Sequence, residues 1–164
     1  MDNLTAPPPV VDMARVIAYA ILDESVEWTG RQTLFVDGKE LGSVPRLILC
    51  QNIGGDLKDI LLFHCNEAWE CLGTSGTDTL TNAKAQAEQA YRGITSKWIE
   101  MNVSRVEARA WIEKKYPDSI CSFCDRLPTE YEQLVSGKSV AICNICIEEM
   151  HAAINQPQGI NNAV

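Results

Sequence analysis

Cys121-Ser122-Phe123-Cys124 and Cys143-Asn144-Ile145-Cys146 set four cysteines in two C-x2-C turns, with residues 125–142 between them. Each turn offers two soft thiolates, and closing the intervening loop brings all four around one ion. Zinc is the default occupant of such a ligand set; rubredoxin-type iron and a redox dithiol pair are the alternatives. A four-thiolate shell leaves no open position for a substrate, so the motif points to folding and recognition and away from catalysis. A stretch of about thirty residues cannot bury enough apolar surface to fold alone, so metal must supply the difference.

The residues around the quartet carry a resemblance. Cys121-Ser122-Phe123-Cys124, Glu130-Tyr131, Leu134-Val135-Ser136-Gly137, Val140 and Ile142 ahead of Cys143, and Ile147 after Cys146 closely resemble the zinc-binding domain of the bacterial unfoldase ClpX. The resemblance implies a treble-clef-like fold: knuckle, β-hairpin, knuckle, helix. It implies one structural Zn2+ on Cys121, Cys124, Cys143 and Cys146. It assigns Phe123, Leu134, Val135, Val140, Ile142 and Ile147 to an apolar shell and part of a dimer face, and it implies homodimerisation and docking of substrates and adaptors. Three positions depart from the pattern. Asp125 stands where glycine is usual, Lys138 where proline is usual, and Ala141 replaces an aromatic residue. The last removes apolar area from the implied dimer face.

An ATPase motor is missing from these 164 residues. Gly137-Lys138-Ser139 imitates the end of a Walker A loop, but the glycine required five residues earlier is Glu132. The setting is also acidic. From residue 119 onward, Asp125, Glu130, Glu132, Glu148 and Glu149 face only Arg126 and Lys138, and the whole chain carries a formal charge of −8. A protein that grips nucleic acid by its phosphates needs a basic face, so that class is disfavoured.

The length allows one domain or two small ones. Residues 1–11, with Pro7-Pro8-Pro9, read as a disordered or extended tail without a signal-peptide pattern. The densest apolar run, Val16 to Leu22, is too short to span a bilayer. Seven cysteines, four in ligand spacing, suit a reducing compartment, and the expected location is the cytoplasm.

Residues 12–103 read as an α+β domain in which an antiparallel sheet is packed by helices. Residues 12–24 fit a helix capped by Asp12 or a buried strand, and their alanines incline the reading to helix. Strands are expected at Thr33–Val36, Arg46–Cys50, Asp59–Cys65 and Trp69–Leu72. Asp37-Gly38 marks a hairpin, Gly54-Gly55-Asp56 a break, and Gly73 to Gly76 the end of the sheet. Residues 80–94 read as a helix with Thr81 as its cap and one stripe of Ala83, Ala87, Ala90, Tyr91 and Ile94. Ser104 and Glu107 form a capping box for a linker helix within 104–118, which carries Val106, Ala110 and Trp111. The zinc module occupies 119–154, and 155–164 reads as a disordered tail.

Other reactive side chains read as structural. Cys50, Cys65 and Cys71 lie on expected strands as small buried hydrophobes. A second metal site from His64, Cys65 and Cys71, or a Cys71–His64 nucleophile pair, is weighed against the alternation of a strand, which turns His64 and Cys65 to opposite faces. His151 reads as a surface residue, and Trp28, Trp69, Trp98 and Trp111 as packing residues. The expected protein is therefore a small bacterial recognition or adaptor protein, not an enzyme. It carries one structural zinc, and a protein partner or a second copy docks on the zinc module. A nucleic-acid-associated regulator and an enzyme with a site in the N-terminal domain are the alternatives.

Overall fold

The computed structural model describes residues 6–31, 33–36, 38–53 and 60–155. Asp37, the Gly54-Gly55-Asp56 break, Asp59 and the tails at 1–5 and 156–164 lie outside the described residues. The chain divides into two compact units, Met1–Lys115 and Tyr116–Val164, and its class is mixed α+β.

In the first unit β1 (Val10–Val11), β2 (Ala14–Ile21), β3 (Glu27–Trp28), β4 (Leu34–Val36), β5 (Lys39–Leu41), β6 (Arg46–Asn52), β7 (Ile60–Cys65) and β8 (Cys71–Thr77) precede α1 (Leu80–Ala90). Then follow β9 (Tyr91–Arg92), a 3-10 turn at Ile94–Lys97, β10 (Ile99–Glu100) and α2 (Arg105–Lys115). The main sheet runs β1-β2-β6-β7-β8, with β10 also pairing β2, and every pairing is antiparallel.

The inclination to helix at 12–24 is corrected: Ala14–Ile21 is the strand β2. It pairs with β6 along one edge and with β1 and β10 along the other, and residues on both its faces are buried, so its apolar run shows no clean alternation. Asp12 caps nothing. It and Met13 have φ of 44° and 60° and form the two-residue loop between Val11 and Ala14. Two successive left-handed residues are what a type I′ hairpin requires. Val10 and Val11, read as tail, are buried in β1, and Pro7 is buried beside them.

Register separates the sheet's two faces. Leu47 lies opposite His64, and Leu49 opposite Leu62, on the face that receives α1 through Ala83, Ala87 and Ala90. Trp28 and Trp98 pack on the same core. The other face carries Val16, Ile48, Cys50, Phe63 and Cys65, all buried. There the Arg46 guanidinium lies 4.5 Å over the Trp69 ring, which stands at 88° to the Tyr19 ring with centroids 5.3 Å apart.

Three boundaries differ from the sequence reading. The last strand is Cys71–Thr77, so Gly73 to Gly76 lie within the sheet, Gly73 opposite His64 and Gly76 opposite Leu61. Helix α1 is capped by Thr79, whose hydroxyl accepts from the N–H of Asn82, and it stops at Ala90 because Tyr91–Arg92 pairs with β3. The capping box forms, with Ser104 N donating to Glu107 Oε2 at 2.8 Å and Glu107 N to Ser104 Oγ at 3.2 Å. The helix it starts lies within the first unit: Ala108 and Ile112 are its buried residues, while Val106 and Ala110 face solvent.

Candidate metal centre

The second unit opens with a 3-10 turn at Pro117–Ser119 and the first knuckle, Cys121 to Cys124. A 3-10 turn at Pro128–Glu130, β11 (Leu134–Ser136), β12 (Ala141–Cys143) and α3 (Asn144–Asn155) follow. Cys143 ends β12, and Cys146 sits in the first turn of α3. The order is knuckle, hairpin, knuckle, helix.

Backbone hydrogen bonds lock these pieces together. Ser122 N donates to Ala141 O at 2.7 Å, and Ala141 N returns to Ser122 Oγ at 3.0 Å, which ties the first knuckle to β12. Asn144 N donates to Gln133 O at 2.9 Å, and Asn144 Oδ1 accepts from the N–H groups of Glu132 and Gln133. One asparagine thus clips the helix start to the entry of the hairpin. Tyr131 packs on the cysteines and donates its hydroxyl to Ser119 O at 2.7 Å. Gly137 N donates to Val140 O, so Gly137-Lys138-Ser139 is the turn of the β11–β12 hairpin. A phosphate loop would instead lead into a helix.

The four sulfurs lie within 4.8 Å of one another. Cys121 Sγ is 3.8 Å from Cys146 Sγ, and Cys124 Sγ is 3.7 Å from Cys143 Sγ. Ligands about 2.3 Å from a tetrahedral zinc stand about 3.8 Å apart, whereas a disulfide would need about 2.05 Å. The quartet therefore fits one structural zinc ion.

The electrostatics agree. Burial alone would push the Cys121 thiol up. The backbone N–H groups of Cys143, Phe123 and Cys124 outweigh it and bring the thiol down to about 6. Cys146 is pushed up, first by its hydrogen bond with Cys124 and then by burial. Four thiols this close cannot all ionise without a cation among them, and a bound dication supplies that charge. Residue 125 takes a left-handed conformation, φ 56°, which suits glycine; here Asp125 adopts it. The turn lets Arg126 fold back, so that its Nη1 donates to Cys124 Sγ at 3.2 Å. Spacing alone did not reveal this contact. Its signal was a cation two residues past the knuckle.

Among the described residues, no other group of three or more His, Cys, Asp or Glu side chains gathers as metal ligands would. His64 faces the α1 side, its ring 6.1 Å from that of Tyr91, and is 1% exposed. Cys65 lies on the opposite face, across from Arg46. The Cys71 thiol turns to Gly73 O and Thr74 Oγ1. His151 is exposed on α3.

The second unit is thus a closed four-thiolate zinc knuckle. Residues 119–156 match the family described as the ClpX C4-type zinc finger, so the chain contains a ClpX-type zinc-binding module. No family matches the region before it. No curated protein and no solved structure matches the chain.

Proposed function

We propose that this protein is a non-enzymatic recognition protein of the bacterial cytoplasm, and that its zinc module docks a protein partner or a second copy of the chain. The observation that carries this reading is the number of exposed large apolar side chains in the unit that holds the closed metal site. Phe123, Val135 and Val140 are 59%, 57% and 54% exposed, and Ile147 and Met150 add to them on α3. Five exposed large apolar side chains within residues 123–150 suit a contact surface. Beside them a groove of about 420 Å³ is walled by Ile120, Ser122 and the turn from Ser136 to Ala141. An adaptor or regulator acting beside Clp-type proteolysis is the form suggested by the zinc module's family. The acidic setting disfavours nucleic acid as the partner.

The test compares the wild-type full chain with a Phe123→Ser/Val135→Ser/Val140→Ser variant, both zinc-loaded. Light scattering reports self-association, and capture by a Clp-type unfoldase or other bacterial proteins reports docking. The reading predicts an association that the variant loses while it keeps its zinc. A monomer that binds no protein through this surface would overturn it.

A further inference from the structure

Cys121 and Cys143 are fully buried and Cys146 nearly so, whereas Cys124 is half-exposed. Arg126 meets that cysteine's sulfur. Its main chain is held in place by Cys121 N donating to Arg126 O at 3.1 Å, and its Nη1 donates to Cys124 Sγ at 3.2 Å. Cys143 Sγ is 3.7 Å from Cys124 Sγ, and the guanidinium of Arg126 interacts with it as well. Thiolates bound to zinc remain nucleophiles, and their reactivity follows thiolate character and exposure. A hydrogen bond from a cation draws electron density from the sulfur, and the guanidinium also screens the approach.

We propose that Cys124 is the point at which hydroperoxides enter this zinc site, and that Arg126 sets how fast they do so. In the first step the Cys124 thiolate attacks the peroxide. A sulfur–oxygen bond forms, the oxygen–oxygen bond breaks, and hydroxide leaves. In the second step the Cys143 thiolate attacks the sulfenic sulfur of Cys124. A disulfide forms, and a second hydroxide leaves. The two thiolates together lose two electrons, the peroxide gains them, and zinc departs with half of its ligands gone. The wild-type module would thus be a zinc site that opens under oxidative load.

The experiment treats the zinc-loaded full chain with hydrogen peroxide. A chromogenic chelator follows zinc release, and peptide mass spectrometry maps the first oxidised cysteine after a short exposure. Cys124 should carry the first oxygen, followed by a Cys124–Cys143 disulfide. Arg126→Ala should release zinc roughly fivefold faster than wild type, with Arg126→Lys in between. First modification at Cys121, Cys143 or Cys146, or equal release from Arg126→Ala and wild type, would overturn the proposal. Zinc content is measured before oxidation. If Arg126→Ala fails to retain the ion, the mapping on wild type and the rate of Arg126→Lys decide.

Discussion

The sulfurs of Cys121 and Cys146 stand 3.8 Å apart, although they come from the first knuckle and from the first turn of α3. A 3-10 turn at Pro128–Glu130 and the hairpin of β11 and β12 bridge that separation in the chain, and the hairpin's three-residue strands bury little. Zinc is therefore the organising force of the unit, worth on the order of 10 kcal/mol in modules of this size. Chelation should abolish amide-exchange protection at Ala141 to Cys146 and through α3. Amides of β2, β6 and β7 should stay protected. Cys121→Ser should act like chelation; unchanged metal content and protection in that variant would contradict the assignment.

A second prediction concerns the β1–β2 hairpin. Met13 holds φ 60°, a conformation that costs an L-residue with a side chain about 1 kcal/mol and costs glycine almost nothing. Met13→Gly should stabilise the first unit by up to about 1 kcal/mol. Denaturant melts read by tryptophan fluorescence report on this unit alone, since Trp28, Trp69, Trp98 and Trp111 all belong to it. A destabilised variant would mean that Met13 packs better than its backbone suggests.

Glu88 yields a third. Its carboxylate accepts from Gly93 N at 2.8 Å, Thr95 Oγ1 at 2.7 Å and Thr95 N at 3.0 Å, fixing the turn after α1. The Gly93 N–H, then the Thr95 hydroxyl, hold its titration below the ordinary 4.5. A depressed carboxylate stabilises the fold above its unfolded value, and that stability is lost as pH falls through the folded value. Glu88→Gln should cost about 1–2 kcal/mol at neutral pH and flatten the acid limb of the melt below about pH 4.5. An acid limb as steep as wild type would show that the carboxylate contributes nothing there.

His64 tests the enzyme alternative. Burial pulls its titration below the ordinary 6.5, although the Gly73 carbonyl across the strand pair favours the proton. The unfolded chain then binds the proton more readily than the folded one. Stability is complete above about pH 6.5 and declines as pH falls below it. His64→Phe should keep the fold and remove that part of the decline. A variant that folds and keeps the full slope would show that the decline does not come from His64.

The zinc site was legible because its determinants are local: ligand spacing, knuckle composition and the hairpin turn lie within a short stretch of chain. Strands β6 and β7 were legible for a similar reason, each being a short apolar run of branched and aromatic residues. Strand β2 was not, since burial on both faces erases the period that separates strand from helix, and its partners lie far along the chain. Strand β8 was hidden by its glycines, which fit opposite His64 and Leu61 on the last strand of the sheet. The contact of Arg126 with Cys124 escaped because it depends on the left-handed backbone of Asp125, a conformation the residue's identity does not announce. His64, Cys65 and Cys71 were read as structural, and alternation along one strand does place the first two on opposite faces.

X-ray absorption at the zinc edge of the purified full chain tests the closed site most directly. The account predicts one zinc per chain with four sulfur neighbours at about 2.3 Å and no nitrogen or oxygen in the shell. A shell that mixes sulfur with nitrogen or oxygen would mean an open or rebuilt centre and would contradict it.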